Sequence, residues 1–351
     1  MTINSIVGTS QKFDEYQGQQ VDKFTLVNSH HVSVSVLTLG STLYELNVPD
    51  ANGQPHNIVL NYQHSADYLK NPFYVCMAIG RVAGRIANGK LNIDGKSYSL
   101  PTNEGTTTLH GGPRGFNTFI WHGEIVNQHG NDVIVMHRIQ TEVDDHFPGD
   151  MDVTITYSLS DDDTVAIKFD AKATEDTVFN PTQHTYFNLG NTDTIKQHLI
   201  KVNSSEVLEL DDKKIPTANR INVKQTPWDF RIFHQLGRAI KGMDNTTEHG
   251  FDDVFAVAPD NNHMIAELED PETNRAVAIE SQRSGMIMFT ANSFTHDHMN
   301  FVRTNGIGIP YLGVALEPMT LPKPGQDRDF SEMILRKGEQ QEATIKYHVS
   351  Y

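Results

Sequence analysis

The chain is 351 residues long, and its 38% apolar and 21% charged residues are those of a folded, soluble protein rather than a disordered one. Its 28 Lys and Arg against 44 Asp and Glu leave a formal charge of −16. That balance excludes a nucleic-acid partner, which would need clustered cations that the sequence does not contain. No apolar run reaches the roughly 18 residues of a membrane span, and the start, "MTINSIVGTSQKFDEYQGQQ", lacks the basic-then-apolar pattern of a secretory signal.

Taken in chain order, the segments alternate with a period of two. "HVSVSVLTL" and "STLYELNV" read as strands, followed after the turn "PDANG" by a short helical candidate at Ser65 to Leu69. Cys76, the one cysteine, forbids an internal disulfide and fits a reducing compartment, with cytoplasm as the expectation. "NIDGK" and "NQHGND" are further turns, and "DVIVMHRIQTEV" is a strand. Asp152 to Leu159 and "TVAIKFDA" then form a hairpin across "SDDD", with Val153, Ile155, Tyr157 and Leu159 facing Val165, Ile167 and Phe169. A second short helical candidate lies in "DFRIFHQLGRAI", before the strands "HMIAELED", "AVAIESQ", "GMIMFTAN" and "EATIKYHVS". Length alone suggests about two domains. The even run of strands, with no linker, repeat or low-complexity segment, favours one large all-β domain over residues 1–351, an antiparallel β-sandwich.

Within "NPTQHTYFNLG" a single strand would set Thr182, His184, Tyr186 and Asn188 on one polar face, between Pro181 and Gly190. That face is either a binding surface or a solvated exterior. His110 precedes two glycines in "TLHGG" and reads as a turn residue on its own. In "GVALEPMTLP" a buried strand ends on Glu317, a candidate general base or a salt-bridged strand terminus. Arg85 in "IGRVAGRIANG" and Asp252 in "HGFDDVFAV" can each be paired surface charges, and Arg81 would serve that reading as well as Arg85. Two metal-like strings, "THDHMNF" with His296 and His298 and "DDHFPGD" with Asp144, Asp145 and His146, lack a third protein ligand at recognisable spacing and read as loops. No Walker loop, dinucleotide fingerprint or nucleophile elbow is present.

Together these segments resemble the aldose 1-epimerases, or galactose mutarotases. "GSTLYELNVPDANG", "IGRVAGRIANGKLNIDGKSYSL", "TLHGGPRGFNTFIW", "HFPGDMDVTITYSL", "NPTQHTYFNLG", "IPTANRINVKQTPWDFR", "GFDDVFAV" and "GVALEP" follow family order nearly end to end. The resemblance implies a mutarotase-like supersandwich that interconverts α and β anomers of a free aldose of the galactose or glucose type, without cofactor or metal. It implies Glu317 as catalytic base, His184 as catalytic acid, His110 as a second active-site histidine, and Arg85 and Asp252 as sugar-binding residues. The expected partner is a small sugar, with no nucleic acid or membrane, and the expected state is a monomer or homodimer. Some positions depart from the pattern: Gly84 stands for an Asn, Asp253 for a His and Ile287 for a Gln, and "PMTLPKPGQDRDF" follows Glu317. One carboxylate with two histidines favours ring opening over glycoside hydrolysis, which ordinarily needs two carboxylates. A phosphorylated sugar would want more cations, and a non-catalytic sugar-binding protein of the same fold is the rival outside enzymology.

Overall fold

The computed structural model describes residues 6–295, 299–323 and 329–351. His296 and His298 therefore lie outside the described residues, as does part of the segment after Glu317. Three antiparallel sheets dominate. The first has five strands in sequence order, Val7–Tyr16, Gln19–Val27, Ser33–Leu37, Thr42–Pro49 and Pro55–Asn57.

The second sheet has nine strands, and the predicted hairpin lies within it. Met151–Leu159 pairs with Thr164–Ala173 in the register Met151↔Ala173 to Leu159↔Val165. The apolar set of each strand is buried, as alternation requires. Burying a side chain such as Ile155 or Phe169 contributes about 1.5–3 kcal/mol, so slipping by one residue would expose the whole set. The final strand, Gln340–Ser350, does not lie at an edge. It pairs with Thr164–Ala173 on one side and Ala276–Glu280 on the other, tying strands from the two halves of the chain together.

The third sheet has six strands, in the order Tyr186–Phe187, Val314–Met319, Gly285–Phe289, Asp252–Val257, Ser204–Leu210 and Pro216–Asn222. The helical candidates are one 3₁₀ turn at Ser65–Leu69 and a short α-helix at Leu236–Gly242. Two elements differ from the sequence reading. The strand in "DVIVMHRIQTEV" stops at Gln140, because Thr141 caps a one-turn helix, Glu142–Asp145: its hydroxyl accepts from the Asp144 N–H and the Asp144 carboxylate accepts from the Thr141 N–H.

The stretch "NPTQHTYFNLG" is two short strands rather than one. Thr182–Gln183 pairs with Ala78–Ile79, and Tyr186–Phe187 pairs with Val314 and Ala315. Neither face is solvated. Gln183 and Thr185, on the face opposite His184, are buried and held by Tyr157 and Tyr347: the Tyr157 hydroxyl donates to Gln183 Oε1 at 3.1 Å, and the Thr185 and Tyr347 hydroxyls lie 2.9 Å apart. These bonds satisfy polar groups inside the core and fix the break that carries His184.

Candidate active site

Directly opposed residues of an antiparallel pair share a face. In the six-stranded sheet Glu317 opposes Ile287 and Ile287 opposes Val254, while Ala315 opposes Phe289 and Phe289 opposes Asp252. Tyr186 opposes Ala315. Two adjacent rows on one face thus bring Glu317, Ile287, Asp252, Phe289 and Tyr186 to the wall of one cleft, whose empty space is about 840 Å³. Glu317 is not at a strand end as expected, because its strand runs on through Pro318 to Met319.

His184 hangs from the break between the two short strands. Its backbone N–H donates to Met77 O, and Cys76 N–H donates to His184 O, both at 3.0 Å. The ring lies between Tyr186, with centroids 4.9 Å apart, and Tyr74 at 5.9 Å, nearly parallel to both. Its Nε2 is 3.2 Å from Glu317 Oε1. The pair touches without hydrogen-bond alignment, and among the described residues no group donates to either Glu317 oxygen. Of its neighbours on the predicted polar face, Tyr186 stacks on His184, whereas the Asn188 amide donates to Leu312 O at 2.7 Å.

His110 is set edge-on to His184 with ring centroids 5.2 Å apart. Thr108–Leu109 pairs with Arg85–Ile86, so one small ladder delivers both His110 and Arg85. The following glycine is obligatory: Gly111 has φ +86°, and a Cβ there would stand 1.9 Å from Gly80 O. Gly84 and His110 bond reciprocally, His110 N–H to Gly84 O at 2.9 Å and Gly84 N–H to His110 Nδ1 at 3.2 Å. Accepting at Nδ1 leaves the proton of the neutral ring on Nε2, so His110 offers a donor.

Arg85 reaches the cleft from that ladder, 17% exposed, and donates from Nε and Nη2 to both oxygens of Glu104 at 2.6 and 2.9 Å. Asp252 Oδ2 lies 3.6 Å from Nη2. Of the departures, Ile287 lines the cleft and Gly84 its flank, whereas Asp253 alternates to the other face of its strand from Asp252. Sequence reasoning missed Tyr74, Glu104, Glu248 and Phe289. Glu104 sits in the tight "NEGT" turn, where a glutamate carries no pattern pointing to a site.

A sequence model of the family described as aldose 1-epimerase matches residues 22–348. The chain belongs to that family. It is 36% identical over 330 residues to the maltose epimerase of Levilactobacillus brevis, spanning 94% of this chain and 95% of that one. It is 37% identical over 339 residues to the aldose 1-epimerase of Streptococcus thermophilus, spanning 94% of each. The solved galactose 1-epimerase of Lactobacillus acidophilus shares the fold, with a TM-score of 0.86 at 23% identity over 99% of both chains. As an aldose 1-epimerase family member the chain is an isomerase, acting on the anomers of aldoses.

In this family member, burial governs the titration of Glu317, His184 and His110. It drives the Glu317 carboxyl well above its ordinary value, with Asp252 adding to the rise and Arg85 opposing it. It drives the His184 imidazole down to about 3 and His110 well below its ordinary value, His110 being depressed further by His184 and Arg85. Desolvation thus favours the neutral form of all three. Burial also lifts Asp253, to about 6.

His110, His184 and Glu317 present donor atoms within 4.8 Å of one another, a set that could ligate a metal. The Gly84 bond to Nδ1 argues against it, because a ring with its proton on Nε2 has no free lone pair for an ion. The string around His146 contributes nothing: His146 is an exposed, left-handed residue ending the Glu142–Asp145 turn, and Asp145 is committed to Arg81. Arg81 is not the surface charge of the sequence reading. It is fully buried and bound to both oxygens of Asp145, at 2.8 and 3.0 Å.

Proposed function

We propose that the chain interconverts the α and β anomers of a free galactose- or glucose-type aldose by opening and reclosing its ring, with Glu317 as base and His184 as acid. The observation that carries this reading is the Glu317 carboxylate, buried, unbonded among the described residues and 3.2 Å from the His184 imidazole on the wall of a sugar-sized cleft.

The chemistry follows from moving two protons. Glu317 takes the proton of the C1 hydroxyl while His184 gives one to the ring oxygen; the C1–O5 bond breaks and C1 becomes an aldehyde. Rotation about C1–C2 turns the other carbonyl face to O5. On reclosure O5 returns its proton to His184, and Glu317 protonates O1. No electron or group leaves the sugar, so the balance closes without a co-reactant. Each positioned proton-transfer group contributes about 10²–10⁴-fold. His110, a donor at Nε2, steadies charge at the ring oxygen, and Arg85 and Asp252 hold hydroxyls so that C1 is the part that turns.

The relay needs the ionised form of the pair, which burial alone disfavours. Sugar hydroxyls supply the missing hydrogen bonds to the carboxylate, and that contact favours ionisation. The pH dependence follows: the working pair carries a single proton, on His184, so activity falls as pH rises through the raised Glu317 value, where that proton is lost, and this sets the alkaline limb of kcat/KM. We further infer that residues 1–351 work as one domain, which the central position of Gln340–Ser350 supports.

Polarimetry on freshly dissolved α-D-galactose, α-D-glucose and maltose tests the reading; the relative named maltose epimerase puts the disaccharide on the panel. Wild type should accelerate at least one sugar, and Glu317→Gln should lower kcat by about 10²–10⁴-fold. No acceleration of any free aldose would overturn the mutarotase reading, even if sugars bind. Activity of Glu317→Gln equal to wild type would overturn the choice of base.

A further inference from the structure

Beside the cleft lies a second chamber, with about 580 Å³ of empty space, which shares Arg85, Asp252 and Ile287 with it. Its wall continues the row that starts at the reacting carboxylate: Glu317, Ile287, Val254, then Leu208 from the next strand of the sheet. Leu208 is three strands from Glu317, roughly 14 Å at ordinary strand spacing. Ala83, Met319 and Leu321 add to a lining whose side chains are apolar apart from the shared Arg85 and Asp252 and from Lys214. Gly84 also lines the chamber, and a Cβ built there would come into ordinary contact with Met319 Cε at 3.6 Å and Ile287 Cδ1 at 3.8 Å.

The polar side chains of the lining are Arg85, Asp252 and Lys214. Arg85 holds Glu104 and lies near Asp252, and Lys214 Nζ is 3.1 Å from Glu248. Away from those three, the apolar side chains of the chamber offer a hydroxyl no hydrogen-bond partner, whereas an alkyl group would lose nothing there. Size narrows the occupant further. Only about 40 Å³ is open to the centre of a water molecule, against about 250 Å³ in the cleft. That is space for a few heavy atoms, far short of a second pyranose ring.

We propose that this chamber is a subsite for a small alkyl group carried by the sugar, a methyl borne by a deoxyhexose or an O-methyl ether. The inference rests on the mutarotase reading and adds a substrate class to it: free aldoses bearing one methyl on the side of the ring turned to Arg85 and Asp252. A methylene-sized group in an apolar pocket is worth about 10-fold or more in kcat/KM.

The experiment compares anomerisation of glucose with 6-deoxyglucose and with the 2-, 3-, 4- and 6-O-methyl glucoses, all of which keep the anomeric hydroxyl. At least one analogue should exceed glucose about 10-fold in kcat/KM, and its identity tells a deoxy methyl from an ether methyl. Leu208→Phe, which fills the chamber from its far end, should bring that ratio to about one, and Val254→Thr, of the same shape with a hydroxyl, should lower it too. If every analogue turns over at or below the rate of glucose, or if the advantage survives both substitutions, the subsite does not exist. Failure of wild type on glucose and galactose would instead strike the proposed function itself.

Discussion

Arg81 and Arg85 share one stretch, "GRVAGR", and both meet carboxylates. The Arg81 guanidinium is buried and spends all five of its N–H donors: Nε and Nη2 on Asp145, Nη2 also on Gln140 O, and Nη1 on Pro148 O and Thr177 Oγ1. Arg85 uses two donors, both on Glu104, with Asp252 beyond bonding distance at 3.6 Å. A saturated arginine can only hold the protein together; one with donors to spare at a cleft wall can hold something else. The carboxylates repeat the contrast, for Asp145 is matched by a guanidinium while Glu317 is buried beside a neutral imidazole.

The sharpest way to break this contrast is Arg81→Ala, which strands a buried charge on Asp145. It should cost about 3–5 kcal/mol in chemical denaturation, and it should leave the KM for sugar unchanged in protein that remains folded. A loss below 1 kcal/mol would mean that the pair is dispensable. Arg85→Ala should do the reverse. The loss of charged hydrogen bonds to sugar lowers kcat/KM by about 10–150-fold, the equivalent of about 1.5–3 kcal/mol. Stability should change by less than about 1 kcal/mol, because the ion pair with half-exposed Glu104 is worth little. Equal stability losses in the two alanine variants would erase the distinction.

The smallest expected effect concerns pH. A carboxyl whose folded pKa is raised contributes stability that is fully present below its unfolded value, about 4.5, and lost as pH rises through the folded one. Glu317→Gln should therefore melt above wild type at pH 8, with the gap closing toward pH 4. His184 acts oppositely: its neutral form contributes stability fully present above about 6.5 and lost as the pH falls toward and through about 3. A melting-temperature gap that does not change with pH would show that Glu317 is not held neutral by burial.

Much of this was legible in the chain. Period-two alternation located the hairpin at Met151 to Ala173 with its buried set, because a half-buried strand must sort its side chains by face. The motifs around His110, His184, Glu317, Arg85 and Asp252 named residues that the fold gathers into one cleft. Alternation failed at "NPTQHTYFNLG", where buried Gln183 and Thr185 take polar partners from the opposite sheet that no local pattern reveals. It failed again to separate Arg81 from Arg85, since both sit in the same local composition.

By itself the sequence determined which side chains alternate and which acid and imidazoles are available, since these depend on backbone sterics and residue chemistry. Only the tertiary structure decided that Arg81 is saturated and Arg85 is not. It likewise brought Glu104, Tyr74 and Phe289 to the cleft and opened an apolar chamber beside it. Each of these depends on burial and on partners distant in the chain, and desolvation by the assembled fold is what moves the titration of Glu317 and His184 away from their ordinary values.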